Sequence, residues 1–206
     1  MTNRKQEINE RLQREFEICD KHILRINEAL EDLSSTLPLT AENYIQLGSE
    51  QIRCIDQFIF RFSKLQDAMG AKIFRFILEY LDEDVTSLPM RDILNRLERF
   101  QILPDANEWL YIRELRNEIA HDYPMMENDV IRILNELFSK VEIMYGIYDK
   151  RKHPIKYTKN NGCNSFVRVC SHYCYNSGNH CYFSICVVRV AKVHHMMHSA
   201  YMASLQ

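Results

Sequence analysis

The sequence predicts an all-α fold, an up-and-down bundle of four or five helices. Three observations carry this. Through residues 1–153, apolar side chains recur at alternating steps of four and three, the repeat of a helix that buries one face. No alternating strand pattern occurs before residue 154. The 206 residues include 5 Gly and 5 Pro, too few for the tight turns of a β architecture.

Residues 4–33 read as one long helix, with Leu12, Phe16, Cys19, Ile23, Ile26, Leu30, Leu33 and Leu37 on one stripe and Pro38 beyond its end. Thr40 is a suitable cap for the next helix. That helix is expected to run to about Leu81, with Ile52, Ile55, Ile59, Phe62, Leu65, Met69, Ile73, Phe76 and Tyr80 inward and a bend at Gly48 or Gly70. The acidic LDED at 81–84 and SLP at 87–89 form a loop. A short helix follows, with Ile93, Leu94, Leu97 and Phe100 inside. After Pro104, Asp105-Ala106-Asn107-Glu108 resembles a capping box, an acid three residues after the cap. Pro124 disfavours helical geometry at Tyr123, so this helix should end near His121 or Asp122. The last helix covers about Asn128 to Tyr148, with Val130, Leu134, Leu137, Val141, Met144 and Tyr148 inward.

The composition changes abruptly near Pro154. Residues 1–153 hold all 28 acidic residues and 21 of the 26 basic ones, a formal charge of −7. Residues 154–206 hold five basic residues, no acid, and five of the 7 Cys. Two regions are therefore expected: a helical domain at 1–153 and a Cys/His-rich tail at 154–206 that is not part of the fold. In the tail, Cys163, Cys170, Cys174, Cys181 and Cys186 with His172 and His180 invite a zinc reading, since C-x-x-x-C at 170–174 is a permissible ligand spacing. The other gaps match no zinc pattern, and no metal site or cofactor is predicted. No apolar run reaches the roughly 18–20 residues that span a bilayer. The polar start MTNRKQEINERLQ lacks the apolar core of a secretory signal. The expectation is a cytoplasmic protein with no membrane partner.

The stretch LRNEIAHDYP, Leu115 to Pro124, concentrates polar chemistry at a helix end. On a wheel of about 100° per residue, Ile112, Leu115 and Ile119 share the buried face. Arg113, Asn117 and His121 line another, with Arg116 and Ala120 between the two. Two readings stand at this point. Positive charge at a helix C-terminus is favoured by the macrodipole whatever the protein does. Equally, a cationic and hydrogen-bonding face with a small residue at its centre suits a site.

Arg116, four residues, His121, one residue and Tyr123 make R-x-x-x-x-H-x-Y, with polar Asn117 directly after the arginine. This resembles the signature of the HEPN superfamily of small α-helical ribonucleases. More narrowly it is similar to the HepT-like toxins, whose version of the motif includes the tyrosine. The segment FRFSKLQDAMG at 60–70 is also similar to HepT-like proteins. The resemblance covers about residues 4–150 and not the tail.

What the resemblance implies is a metal-independent endoribonuclease, the toxin of a toxin–antitoxin pair. Arg116 and His121 would be the catalytic pair and Asn117 the supporting polar residue. Histidine suits proton transfer because its ordinary pKa of about 6.5 lies near working pH. Arginine suits a phosphate because its planar fork donates parallel hydrogen bonds and keeps its charge. One histidine does not serve easily as both base and acid, so a homodimer with two motifs facing one cleft is expected. HepT-like toxins pair with a minimal nucleotidyltransferase antitoxin that transfers AMP to the motif tyrosine, here Tyr123. The acidic body repels RNA at long range, which leaves the local arginine cleft to bind it. The other reading is a non-catalytic HEPN module, the partner- or substrate-binding subunit of a nucleotidyltransferase.

Overall fold

The computed structural model describes residues 3–121 and 126–152, the side chains of Ala120, His121 and 150–152 excepted. The chain divides into Met1–Lys152 and His153–Gln206. The tail, with its cysteines and the zinc reading placed on them, lies outside the described residues.

The described residues form an all-α bundle. Helix α1 spans Asn3–Leu33 and buries Leu12, Phe16, Cys19, Ile26, Leu30 and Leu33 as the stripe predicts, with Ile23 and Leu37 half-buried. Helix α2 is a single turn, Ala41–Tyr44. Thr40 caps it: its hydroxyl accepts from the Asn43 amide at 3.2 Å, and the Asn43 side chain accepts from the Thr40 amide at 2.8 Å. The continuous helix expected from Thr40 to Leu81 is broken at Gly48. Helix α3, Ser49–Ala68, begins after it. A π-turn at Met69–Ile73 then leads into α4, Phe74–Tyr80. Helix α5 is Met90–Arg99, α6 is Ala106–His121 and α7 is Glu127–Lys152.

Cross-helix pairs show the up-and-down order. Gln57, Lys72 and Glu79 meet Arg25, Glu15 and Arg11 in turn, so α1 runs antiparallel to the rod made of α3, the π-turn and α4. Glu108, Tyr111 and Glu118 meet Lys140, Glu136 and Arg132, so α6 and α7 are antiparallel too. Tyr148 closes α7 on α1: its hydroxyl lies 2.9 Å from the Phe16 carbonyl and 2.8 Å from the Asp20 carboxylate.

The π-turn explains where the expected core of the rod fails. Leu65, Gln66, Met69, Gly70, Ile73, Phe74, Ile77 and Leu78 are all buried, pairs that recur every four residues. In an unbroken α-helix each four-residue step drifts about 40° around the axis, and three steps would carry the last pair off the core face. The wider π-turn absorbs one residue and returns the pairs to that face. Its consequence is a one-residue shift in register. Phe76 and Tyr80, expected inside, are half-buried under the cations of α1, Arg11 lying 4.1 Å and Lys5 5.4 Å from their ring centroids. Ile52, also expected inside, is 48% exposed in the first turn of α3.

The rod and α5 both end without a glycine. Asp82 and Gln101 take the left-handed conformation at φ 63° and 54°. At each end the next two amides turn back to the helix: Glu83 to Leu78 O and Asp82 to Glu79 O, then Ile102 to Leu97 O and Gln101 to Glu98 O. This is the Schellman closure of a helix C-terminus. Arg75 holds the intervening loop by donating to the Val85 and Leu88 carbonyls.

Candidate functional site

Helix α6 carries the motif, and three contacts seat it. At its start the Asp105 carboxylate accepts from the Asn107 amide at 2.7 Å. This is a simple cap and not the expected capping box: the carboxylate takes the second helical amide rather than that of Glu108, whose side chain pairs with Lys140 of α7 at 2.9 Å. In its first half, Trp109 packs on Phe74 of α4, ring centroids 4.6 Å apart, and lies over Gly70 of the π-turn. In its second half, Arg116 crosses to the end of α3.

The Arg116 guanidinium donates from Nε to the Gln66 side-chain oxygen at 3.2 Å and from Nη2 to Asp67 Oδ1 at 2.8 Å. Its side chain is 14% exposed, against 52% for Asp67. Gln66 is 2% exposed, and its amide nitrogen has no hydrogen-bond partner. A guanidinium has five N–H donors in a fixed plane. Two are committed to α3, which fixes the orientation of the fork, and the other three have no partner among the described residues. The π-turn contributes directly: by keeping Gln66 and Phe74 on one face, it lets the same face of α6 meet both.

The remaining motif residues are placed less fully. Asn117 is half-buried beside Arg116, while Arg113, Glu114 and Glu118 are exposed. Ile112 and Leu115 are buried and Ile119 half-buried, the core face expected of this helix. His121 is the last residue of α6, and its side chain lies outside the described residues, as do Tyr123 and Pro124. Nothing in the local sequence around Arg116 marks Gln66 and Asp67 as its partners. They sit about fifty positions away in sequence, inside the segment FRFSKLQDAMG that carries part of the HepT-like resemblance.

Among the described residues no group of three or more His, Cys, Asp or Glu gathers as a metal site, and no helix is long and apolar enough to cross a membrane. A cleft of about 600 Å³ lies between Arg4 of α1 and the acidic loop at 82–86; its residues are distinct from those that hold Arg116. Comparison with protein-family models, curated proteins and solved structures yields no match.

Proposed function

We propose that this chain is a HEPN-type, HepT-like endoribonuclease, the toxin of a toxin–antitoxin pair. The observation that carries the reading is the arginine of R-x-x-x-x-H-x-Y, held at the end of α3 by Gln66 and Asp67 through two of its five donors. In the proposed reaction the ribose 2′-oxygen attacks the adjacent phosphorus and gives its proton to a base. The P–O5′ bond breaks, and an acid protonates the departing 5′-oxygen. The products are a 2′,3′-cyclic phosphate and a 5′-hydroxyl end. His121 supplies a proton-transfer group, Arg116 stabilises the charge gathering on the phosphoryl oxygens, and Asn117 orients one or the other. Two copies of the chain bring two His121 residues to one cleft, one as base and one as acid. A minimal nucleotidyltransferase antitoxin silences the site by adenylylating Tyr123, which adds a bulky anion beside Arg116 and His121.

The test is induced expression of the chain alone. Growth arrest that Arg116→Ala or His121→Ala relieves at equal abundance supports the reading. So does RNA cleavage by the purified protein in the presence of a chelator, ending in cyclic phosphate. Mass spectrometry after incubation with the antitoxin, ATP and Mg²⁺ should find AMP on wild type and none on Tyr123→Phe.

The Arg116–Asp67 ion pair favours a second reading. An arginine whose charge is already matched by a carboxylate serves equally as a structural cross-link between α6 and α3. The chain would then be a non-catalytic module that docks a nucleotidyltransferase. Absence of both toxicity and cleavage, with a stable complex with the nucleotidyltransferase, decides for that reading.

A further inference from the structure

A second concentration of chemistry lies on the outer face of α1 and α3. Phe60 is 52% exposed. The Arg61 guanidinium carbon lies 5.3 Å and the Lys64 ammonium 5.7 Å from its ring centroid. His22 of α1 faces the same two cations, and burial, then the charges of Arg61 and Lys64, lower its pKa below the ordinary value. The Nδ1 of His22 and the Nε of Arg61 are covered and have no hydrogen-bond partner. Neither Arg61 nor Lys64 has a carboxylate partner among the described residues, whereas Lys5, Arg11, Lys72, Arg96 and Lys140 all do.

Arg14, Lys21 and Arg113 likewise form no ion pair among the described residues; what sets Arg61 and Lys64 apart is the exposed aromatic ring they flank. Positions 60, 64 and 67 fall on one stripe of α3, and all three are exposed. Asp67 at the end of the stripe is the residue that holds Arg116. Seven residues of α-helix rise about 10 Å, a few nucleotides at about 3.4 Å each. Acids bound the positive stretch at both ends, but the charge of Asp67 is matched by Arg116 and exposed Asp56, one turn before Phe60, forms no ion pair among the described residues, so an anionic chain on this face meets less repulsion toward Arg116. A second copy of the protein is a poorer occupant. A two-fold contact centred on this face would bring Arg61 and Lys64 of both copies together, and like charges brought together oppose association.

We propose that Phe60, Arg61, Lys64 and His22 form a subsite for single-stranded RNA, Phe60 stacking on a base and the cations holding the phosphates that lead to Arg116. This rests on the ribonuclease reading for its substrate class. Base stacking on an aromatic side chain tolerates any base, so the subsite adds affinity and direction rather than sequence preference.

The test separates binding from cleavage. The full chain is titrated against a fluorescent single-stranded 2′-O-methyl oligoribonucleotide, which lacks the nucleophile and is not cut. Phe60→Ala should weaken binding roughly tenfold. Arg61→Ala/Lys64→Ala should weaken it and reduce the slope of log affinity against log salt by about 1.4, or ~0.7 for each phosphate released. Wild-type affinity in both variants, or no binding by the wild type, overturns the inference. So does a Phe60→Ala variant that binds RNA normally but dissociates from dimer to monomer, because the face would then belong to a second copy. If binding depends on the cluster but wild type cuts no RNA, the subsite stands and the ribonuclease reading falls. If wild type cuts RNA and Phe60→Ala does so with unchanged KM, the inference fails and the ribonuclease reading survives.

Discussion

Arg116 of α6 and Asp67 of α3 form an ion pair at 2.8 Å, with Gln66 sharing the same guanidinium at 3.2 Å. The two acceptors differ in what they lose if the arginine goes. Asp67 is half-exposed, so water replaces its partner; in Asp67→Ala the guanidinium keeps Gln66 and meets water on the side that Asp67 vacates, a cost of about 0.5–1 kcal/mol, the scale of a partly screened pair. Gln66 is buried, and Arg116→Ala leaves both ends of its amide without a partner, a penalty of about 1–3 kcal/mol. Urea unfolding should therefore rank Arg116→Ala well below Asp67→Ala in stability. Equal losses would mean that the ion pair, not the buried amide, carries the contact. Any activity lost by Arg116→Ala needs this correction, and Arg116→Lys does not avoid it, because an ammonium lacks the planar fork that serves both acceptors.

The π-turn makes an unusual deletion tolerable. Ala71 is exposed within Met69–Ile73. Removing it converts the turn to ordinary α-helix while leaving α3 and α4 facing as they do. Removing exposed Asp56, inside regular α3, instead rotates everything on one side of it by about 100° relative to the other. The Ala71 deletion should keep a cooperative unfolding transition and the native fluorescence of Trp109, the 1 Trp in the chain. The Asp56 deletion should lose both. Collapse of both variants would show that the wide turn is itself needed.

Much of this fold is legible in the sequence because its long helices bury single stripes. The run from Leu12 to Leu33 and the run from Leu134 to Tyr148 need no knowledge of their neighbours. The rod is legible up to Ile73, where the π-turn ends and its shift in register makes Phe76 and Tyr80 give way to Ile77 and Leu78. The signal lies in Leu65, Met69, Ile73 and Ile77, a strict four-residue repeat that a straight α-helix carries progressively off one face. Ile52 misled for another reason: in the first turn of α3 the stripe has no neighbour to cover it. At the site, the spacing of Arg116 and His121 is local and therefore visible. What fixes Arg116 is not, since Gln66 and Asp67 come from another helix, and a buried glutamine among apolar residues looks like a break in the pattern until its partner is known.

Gln101 offers a stabilising change. Its φ of 54° crowds the Cβ of any L-residue, at a cost of about 1–2 kcal/mol. Glycine removes that cost but is freer when unfolded, which returns part of it. Gln101→Gly should raise stability by about 0.5–1 kcal/mol in urea titration. Asp82 has the same backbone at φ 63°, but its carboxylate pairs with Lys5 at 2.9 Å. Asp82→Gly should gain less. A loss in Gln101→Gly would mean that its side chain contributes more than the strain takes away.

His22 should make the domain weaker in mild acid. Its pKa is lowered, first by burial and then by Arg61 and Lys64, so the unfolded chain takes up a proton before the folded one does. Stability should be flat above the ordinary value of about 6.5. It should fall as pH drops below that toward the lower folded value, then level off below it. His22→Gln should remove this slope. In NMR titration, Arg61→Ala/Lys64→Ala should move the His22 midpoint part of the way back toward 6.5, burial keeping the remainder. A full return would make the two cations the whole cause.

The two-histidine site can be tested by counting intact copies. A dimer is assembled from one wild-type chain and one chain carrying Arg116→Ala/His121→Ala, each with a different affinity tag so that the mixed species is isolated. If each copy of the motif works alone, the mixed dimer keeps about half of the wild-type rate. If one cleft takes its base from one copy and its acid from the other, the mixed dimer has a single His121 and lacks one proton transfer. Such a loss is on the order of 10²–10⁴ in rate, far from a factor of two. Cleavage is read with a labelled RNA under single-turnover conditions, so that product release does not mask the chemical step. Half activity would confine catalysis to a single chain and require another group there as the second proton carrier. A monomer at tens of micromolar that still cuts RNA would rule out the shared cleft altogether.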